Sequence, residues 1–464
     1  MSSSKVASLK LEFLVVGGGL AGFGVAYALS KAGHKVKVFE KQPSLGMPAG
    51  GLRVPPNMSK ILRAWAGAEK LDKISVLNIG TPWYNLETGE KMGFAEWRPA
   101  VMQETGGAFL MMKHEDVHRL LYDLAVSEGA EVIFNANVTA VTPGEPKPSI
   151  TLASGEVHTA DIVIGADGPH SFVRKTVLVD DPPEGQASGY SVLGAIIPGE
   201  AMSKDSDLAP WLAVDEWPIF MGNRRSMCGH PVSAKKEFAV QLYWPDEDSG
   251  PEECSADWFD VLTAGDIRLE TCGPNLMSDS LKRLLEMAPH FVRTRWLEYP
   301  EKFDYWSDES GRIVLLGEAA HPWFPGGTHP AAMALEDAAV FAALFSRLRR
   351  EDQIGAFVSA YQEIRENRTL EVRRMDVSNA ALVRMPPGPE RDQRDESIRH
   401  ARGEWDEGLL QKEFEGVAAL FGYEALDAAD EWWVNWGRFQ HSDDNREEVD
   451  FGVQSHMING ISSA

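Results

Sequence analysis

Apolar residues run almost unbroken over 11–16, the pattern of a strand buried on both faces. Helix-forming residues follow over 20–31 until Gly33 breaks them, and residues 35–40 alternate Lys and Val before ending in Phe39 and Glu40. Strand, tight turn, helix and strand in that order predict a βαβ unit with a parallel sheet. Turn residues and aromatics dominate 75–111. A helix is expected over 115–127, with strands over 131–134 and 162–164. From 185 to 244 the pattern turns β-rich, with strands near 191–197 and 237–244, and an acidic loop follows over 245–260. Helical signals resume over 280–287, an apolar strand is expected at 312–316, and helices at 331–347 and 354–382. The charged, Pro-containing stretch 386–407 reads as an extended arm. No internal repeat or low-complexity tract is present.

Turns that follow apolar strands near residues 15, 165 and 317 look alike, and β-rich material separates the last two. This predicts an α/β chain whose nucleotide-binding domain is interrupted. Its first part would span 8–184, a β-rich substrate domain 185–300, its last part 301–384, and a C-terminal arm and helical tail 385–464. At 464 residues and about 150 residues per domain, the chain has room for about three domains.

Lys plus Arg is 45 and Asp plus Glu 69, a net charge of −24. That balance argues against a sequence-independent grip on nucleic acid and against a broad footing on anionic lipid. Cys228, Cys254 and Cys272 form no C-x-x-C and cannot all pair, so a reducing compartment is expected. Residues 13–30 carry no charge but include five glycines, which fits neither a membrane span nor a signal peptide. The expectation is a soluble, cytoplasmic protein without membrane partners.

Gly17-Gly18-Gly19-Leu20-Ala21-Gly22 satisfies G-x-G-x-x-G directly after a strand and at the start of a helix. Glycines there allow a tight turn, a close approach of backbone to a diphosphate, and packing of helix on strand. The helix N-terminus adds free N–H groups and partial positive charge. Glu40, ending the second strand, is placed to accept hydrogen bonds from ribose hydroxyls. His114-Glu115-Asp116-Val117-His118 fits H-E-x-x-H, a zinc-hydrolase signature with Glu115 as base, although no downstream motif supplies a third ligand. Trp432, Trp433 and Trp436 read as core or subunit-contact aromatics, residues 443–450 as a solvated acidic tail, and Arg365 and Arg368 as surface or arm contacts.

Two further runs complete a pattern. Residues 160–168 contain Gly165-Ala166-Asp167-Gly168, followed by Ser171 and Arg174. Residues 311–322 contain Gly317-Glu318-Ala319-Ala320-His321-Pro322 and lead into Ala331-Ala332-Met333-Ala334-Leu335-Glu336-Asp337-Ala338. With the glycine turn, these motifs resemble the FAD-dependent aromatic hydroxylases (single-component flavoprotein monooxygenases), and among them the salicylate-hydroxylase-like branch common in fungi. The resemblance spans roughly residues 10–380 and implies a Rossmann-like FAD-binding domain interrupted by a β-sheet substrate domain, with a helical C-terminal extension.

The resemblance also implies roles. Gly17, Gly19 and Gly22 would receive the FAD diphosphate and Glu40 the adenosine ribose. Asp167 and Gly168 match a motif associated with both FAD and NADPH or NADH. Arg119 matches an arginine that reaches FAD, and Gly51 and Arg53 match a segment lying along the flavin. Glu318 stands where an aspartate meets the ribityl chain. Ala331 and Ala332 begin the helix whose N-terminus points at the ring's pyrimidine edge, where the dipole would favour negative charge on reduced flavin.

The implied reaction is hydroxylation of a phenol or hydroxybenzoate, in which NADPH or NADH reduces FAD and dioxygen forms a flavin hydroperoxide. Hydroxylation at a carboxyl-bearing carbon would release carbon dioxide. The partners are then a small aromatic substrate and dioxygen, and the 386–407 arm could contact a second subunit in a homodimer. Four positions depart from the family pattern: Glu318 replaces Asp, Pro330 replaces Gly, and Gly194 and His230 stand where related fungal enzymes often carry Arg and Tyr. His230 is a candidate base for a phenol, and it reads equally well as a histidine packed in the substrate sheet. A flavin-dependent oxidase or a dearomatising enzyme of secondary metabolism is the alternative reaction, and a zinc hydrolase using His114 and His118 the alternative class.

Overall fold

The computed structural model describes residues 6–46, 50–144, 146–178, 184–249, 259–267, 276–400 and 415–438. The strand Glu12–Val16 is buried from Phe13 onward, and it pairs in parallel with Ile162–Gly165 on one side and Lys35–Phe39 on the other. Five strands form this sheet, in the order Ile313–Leu315, Ile162–Gly165, Glu12–Val16, Lys35–Phe39, Glu131–Ile133, and each neighbouring pair is parallel. The chain leaves the first strand toward Lys35–Phe39 and later returns to its other side. The crevice beside the carboxyl end of Glu12–Val16 is therefore a topological switch point, where open α/β sheets take their ligands.

Helix Leu20–Lys31 packs between helices His114–Ser127 and Pro330–Phe345. The last of these is buried at every position from Ala331 to Ala342, as a helix that is apolar almost all round must be. Two of those buried residues are charged, Glu336 and Asp337.

The second large sheet has eight strands. Its spine is the 13-residue strand Gln186–Pro198, antiparallel to Glu237–Pro245 and to Phe291–Glu298. Leu193, Val240, Leu242, Trp244 and Phe291 form a core of their own beneath it. Two of its strands, Gly80–Asn85 and Lys91–Glu96, come from the stretch dominated by turn residues and aromatics, and Gly80–Asn85 joins in parallel to Ile219–Met221. The expected start of the second unit at 185 thus misses part of its sheet, because short strands rich in aromatics and glycine carry little alternation.

The arm expected to be extended contains the helix Pro389–His400, folded back on this chain. Arg391 pairs with Glu87 (3.1 Å), and Ile398 lies against Gly93. Near the C-terminus the helix Ala425–Trp432 buries Trp432 against Phe357, while Trp436 is 65% exposed. The acidic run 443–450, Cys254 and Cys272 lie outside the described residues. Among the described residues no helix is long and apolar enough to cross a membrane.

Candidate functional site

Three turns gather at the carboxyl edge of the parallel sheet. The first is the glycine turn. Gly17 has φ +101°, and a side chain there would strike the Ala166 carbonyl. Gly22 sits so close to the turn that a Cβ would overlap the Gly17 carbonyl oxygen, whereas a Cβ on Gly19 would meet nothing within 4 Å. Gly19 is also the N-cap of Leu20–Lys31, which has neither a side-chain cap nor an acidic residue in its first turn. Free N–H groups, the helix dipole and open space on the Gly19 side make an anion-accepting mouth.

Glu40 closes one side of that mouth, accepting hydrogen bonds from the backbone N–H groups of Gly18 (2.7 Å) and Gln42 (2.8 Å). On the other side the His118 imidazole hydrogen-bonds the Gly18 carbonyl through Nε2 (2.6 Å). His114 is held near pKa 4 by burial and by neighbouring His118. Of the H-E-x-x-H histidines, His118 therefore serves the glycine turn and His114 packs beside it, and among the described residues no group of three His, Cys, Asp or Glu could hold a metal ion. Arg119, next on this helix, is exposed beside the mouth.

The second turn holds Asp167 and Gly168. The Asp167 carboxylate accepts hydrogen bonds from Ser171 Oγ (2.5 Å) and from the Phe172 and Val173 N–H groups (2.7 and 3.1 Å). Burial raises its pKa against the pull of these bonds. Arg174 fastens this turn to the third, donating to the carbonyls of Pro169, Glu318 and Ala319 (2.9, 2.9 and 2.8 Å).

In the third turn Gly317 approaches Ala21 so closely that a Cβ would lie 2.9 Å from the alanine Cβ, which sets the starts of helices Leu20–Lys31 and Pro330–Phe345 close together. Burial pushes Glu318 up to about pKa 7, opposed by the Trp323 N–H and the charge of Arg174.

Beneath the third turn lies a charge network that the sequence did not reveal. Asp337 accepts from the Gly317 N–H (3.0 Å), His321 Nε2 (2.5 Å) and Arg365 Nε (2.7 Å). Glu336 pairs with Arg365 (2.7 Å) and Arg368 (3.3 Å) and accepts from Asn57 (2.6 Å). Burial alone would raise the Asp337 pKa, but the charges of His321 and Arg365 bring it below the ordinary value. Arg365 is 0% exposed, so its reading as a surface group fails. The carboxylates facing it on another helix need a buried cation, and spacing along one helix cannot show that. Arg368 does reach the C-terminal segment, donating to the Leu420 carbonyl (2.6 Å).

The strand Gly51–Val54 joins the two halves. Gly51 has no room for a side chain: a Cβ would lie 2.6 Å from His230 Cε1. Buried Arg53 donates to Gln241 Oε1 and to the Gly326 and Gly327 carbonyls, clamping the loop before helix Pro330–Phe345. That helix begins at Pro330, one residue earlier than expected, and places Ala331 and Ala332 in its first turn. His230, on the strand Ser226–Val232, is driven down to about pKa 3 by burial and by the charge of Arg53. That shift disfavours the protonated state a base must reach near neutral pH, while His230 Nδ1 is buried without a hydrogen-bonding partner among the described residues.

An FAD binding domain model matches residues 10–375, so the chain belongs to that family. The fold and site thus define a flavoprotein. The chain is 30% identical over 381 residues, covering 77% of itself and 82% of its relative, to FAD-dependent monooxygenase cfoG of Aspergillus candidus. It is 27% identical over 379 residues, 80% of itself and 92% of the relative, to 6-hydroxynicotinate 3-monooxygenase of Bordetella bronchiseptica. Among solved structures, CtdE in complex with FAD and a substrate superposes with a TM-score of 0.77 at 18% identity, over 93% of this chain and all of that one. The chain is an FAD-dependent monooxygenase of the aromatic-hydroxylase class.

Proposed function

We propose that this enzyme uses NADPH or NADH to hydroxylate a phenolic or hydroxybenzoate-type ring. The observation that carries the reading is the convergence at the switch point. There an uncapped glycine turn with open space at Gly19 stands against the Gly317 turn and the start of helix Pro330–Phe345. The 6-hydroxynicotinate 3-monooxygenase relative, named for a hydroxylated aromatic acid, supports the substrate class.

Within this reading, Gly17, Gly19 and Gly22 and the helix start would hold the FAD diphosphate. Glu40 would accept hydrogen bonds from the ribose hydroxyls and Arg119 would bind the dinucleotide. Asp167 and Gly168 shape the turn that Arg174 ties to Glu318, whose side chain would meet the ribityl chain. FAD, when bound, supplies electron transfer from the nicotinamide and the activation of dioxygen. The protein orients the ring and excludes water. Arg53 fixes the loop before Pro330, and the first-turn N–H groups at Ala331 and Ala332 favour negative charge on the pyrimidine edge. Pro330 withholds one N–H from that set.

A panel of phenolic acids tests the reading through ring-stimulated NAD(P)H oxidation followed by product mass. A product heavier by one oxygen atom, or one that has gained an oxygen atom and lost carbon dioxide, supports it; no stimulation by any ring contradicts it. An oxidase would instead yield a product without added oxygen, and a dearomatising enzyme a product that has lost its aromatic absorbance.

A further inference from the structure

His329 caps helix Pro330–Phe345 and is 3% exposed. Its Nδ1 lies 2.7 Å from Asp376 Oδ1. The other oxygen of Asp376 accepts the His329 backbone N–H and the Trp323 indole N–H, both at 3.1 Å, so the carboxylate, also 3% exposed, is fixed on both sides. A carboxylate accepts here, so Nδ1 carries a proton, and in the neutral imidazole Nε2 holds the lone pair. That Nε2 is buried with no hydrogen-bonding partner among the described residues. Such a group costs about 1–3 kcal/mol to leave unpaired, and its retention calls for a use.

Its surroundings indicate which use. The His329 ring stacks on Phe421 (6.0 Å between centroids), Phe421 meets Phe109 and Trp97 edge-on, and Phe109 stacks on Trp97 and Trp217. Both indole N–H groups are buried and without a partner among the described residues. Arg53 lies over the Trp217 ring at 5.5 Å and holds the Gly327 carbonyl two residues before His329. Unpartnered polar atoms of His329, Trp97 and Trp217 amid aromatic rings match the oxygen atoms of a flat aromatic ligand. The charged groups facing His329 are Asp376 directly and Arg53 through the Gly326–Gly327 loop.

We propose that His329, oriented by Asp376, accepts the proton of a ring hydroxyl on the aromatic substrate. The phenolic O–H bond breaks and an N–H bond forms at Nε2. The resulting imidazolium is paired with Asp376, and the oxygen keeps the electron pair that makes the ring more nucleophilic. Asp376 acts as the positioning residue. The assignment rests on the phenolic reading above.

The test uses the holoenzyme without NAD(P)H and 4-hydroxybenzaldehyde, whose phenolate absorbs at longer wavelength than its neutral form, at a pH where the free phenol is neutral. Wild type is expected to bind it as phenolate. His329→Gln, and Asp376→Asn (whose amide can donate to Nδ1 and turn Nε2 into a donor), are expected to bind it neutral. Ring-stimulated turnover by these variants should fall by roughly 10²–10⁴-fold at neutral pH, and recover as pH rises past the substrate's own pKa. Neutral phenol in the wild-type complex, phenolate in the His329→Gln complex, or an activity loss that is the same at every pH would overturn the assignment. If these variants do not fold, a neutral phenol in the wild-type complex still overturns the assignment, and His329→Asn takes the place of His329→Gln in the comparison. No binding of the probe, together with no stimulation by any ring in the panel, defeats the phenolic reading itself.

Discussion

Two glycine-to-alanine changes three residues apart in the same turn should differ in what they cost the fold, and the contrast tests the cofactor reading. At Gly22 an added methyl would overlap the Gly17 carbonyl oxygen, which cannot move without displacing the strand it leaves. Gly22→Ala therefore should lose both folding stability and FAD. At Gly19 the methyl meets nothing within 4 Å, and the backbone, at φ −79° and ψ −169°, suits alanine. The cost to the fold is the poorer N-cap, about 1 kcal/mol. The methyl does fill the space in front of the helix N–H groups, where the diphosphate would lie. Losing one hydrogen bond to a charged oxygen costs about 1.5–3 kcal/mol, a weakening of roughly ten- to 150-fold. Stripped protein titrated with FAD, read by flavin fluorescence, gives the affinity, and urea unfolding of the same sample gives the stability. A Gly19→Ala protein that binds FAD as tightly as wild type would refute the placement of the diphosphate.

Three further outcomes follow from the site. Arg365→Ala leaves Glu336 and Asp337 buried beside an empty space, and should lower unfolding free energy by about 3–5 kcal/mol in urea; a loss under 1 kcal/mol, about the worth of an exposed pair, would contradict the buried network. Glu318 has its pKa raised to about 7 on folding, so the stability it contributes is complete below the ordinary glutamate range and is lost as pH rises through about 7. Melting temperatures of the FAD-free protein across that window should fall less steeply in Glu318→Gln than in wild type, and an unchanged slope would contradict the shift. His230→Asn should leave the pH dependence of turnover between pH 5 and 8 where it was, because the wild-type imidazole, with its pKa near 3, is already neutral throughout; a displaced acid limb would reinstate it as a base.

Local patterns made the nucleotide-binding half legible. Residues 11–16 are apolar because both faces of that strand are covered, and the glycines at 17, 19 and 22 are demanded by a turn whose geometry depends on its immediate neighbours. Contacts between distant segments were not legible. Arg365 looked like a surface residue because its partners, Glu336 and Asp337, lie on a different helix. The strands Gly80–Asn85 and Lys91–Glu96 were hidden by turn residues, and their place in the sheet is set by a parallel partner more than 130 residues along the chain, at Ile219–Met221. Asp376, which fixes His329, is 47 residues from it, and no motif links the two. The only hint was a histidine immediately before Pro330, at the start of a helix already expected to face the flavin.

Monooxygenation requires that one atom of dioxygen enter the aromatic product. Turnover with NAD(P)H under oxygen-18 gas, using the ring that best stimulates oxidation, measures it directly by product mass. One heavy oxygen atom per product molecule is expected; a product without the label, whether unoxygenated or oxygenated from water, would contradict monooxygenation.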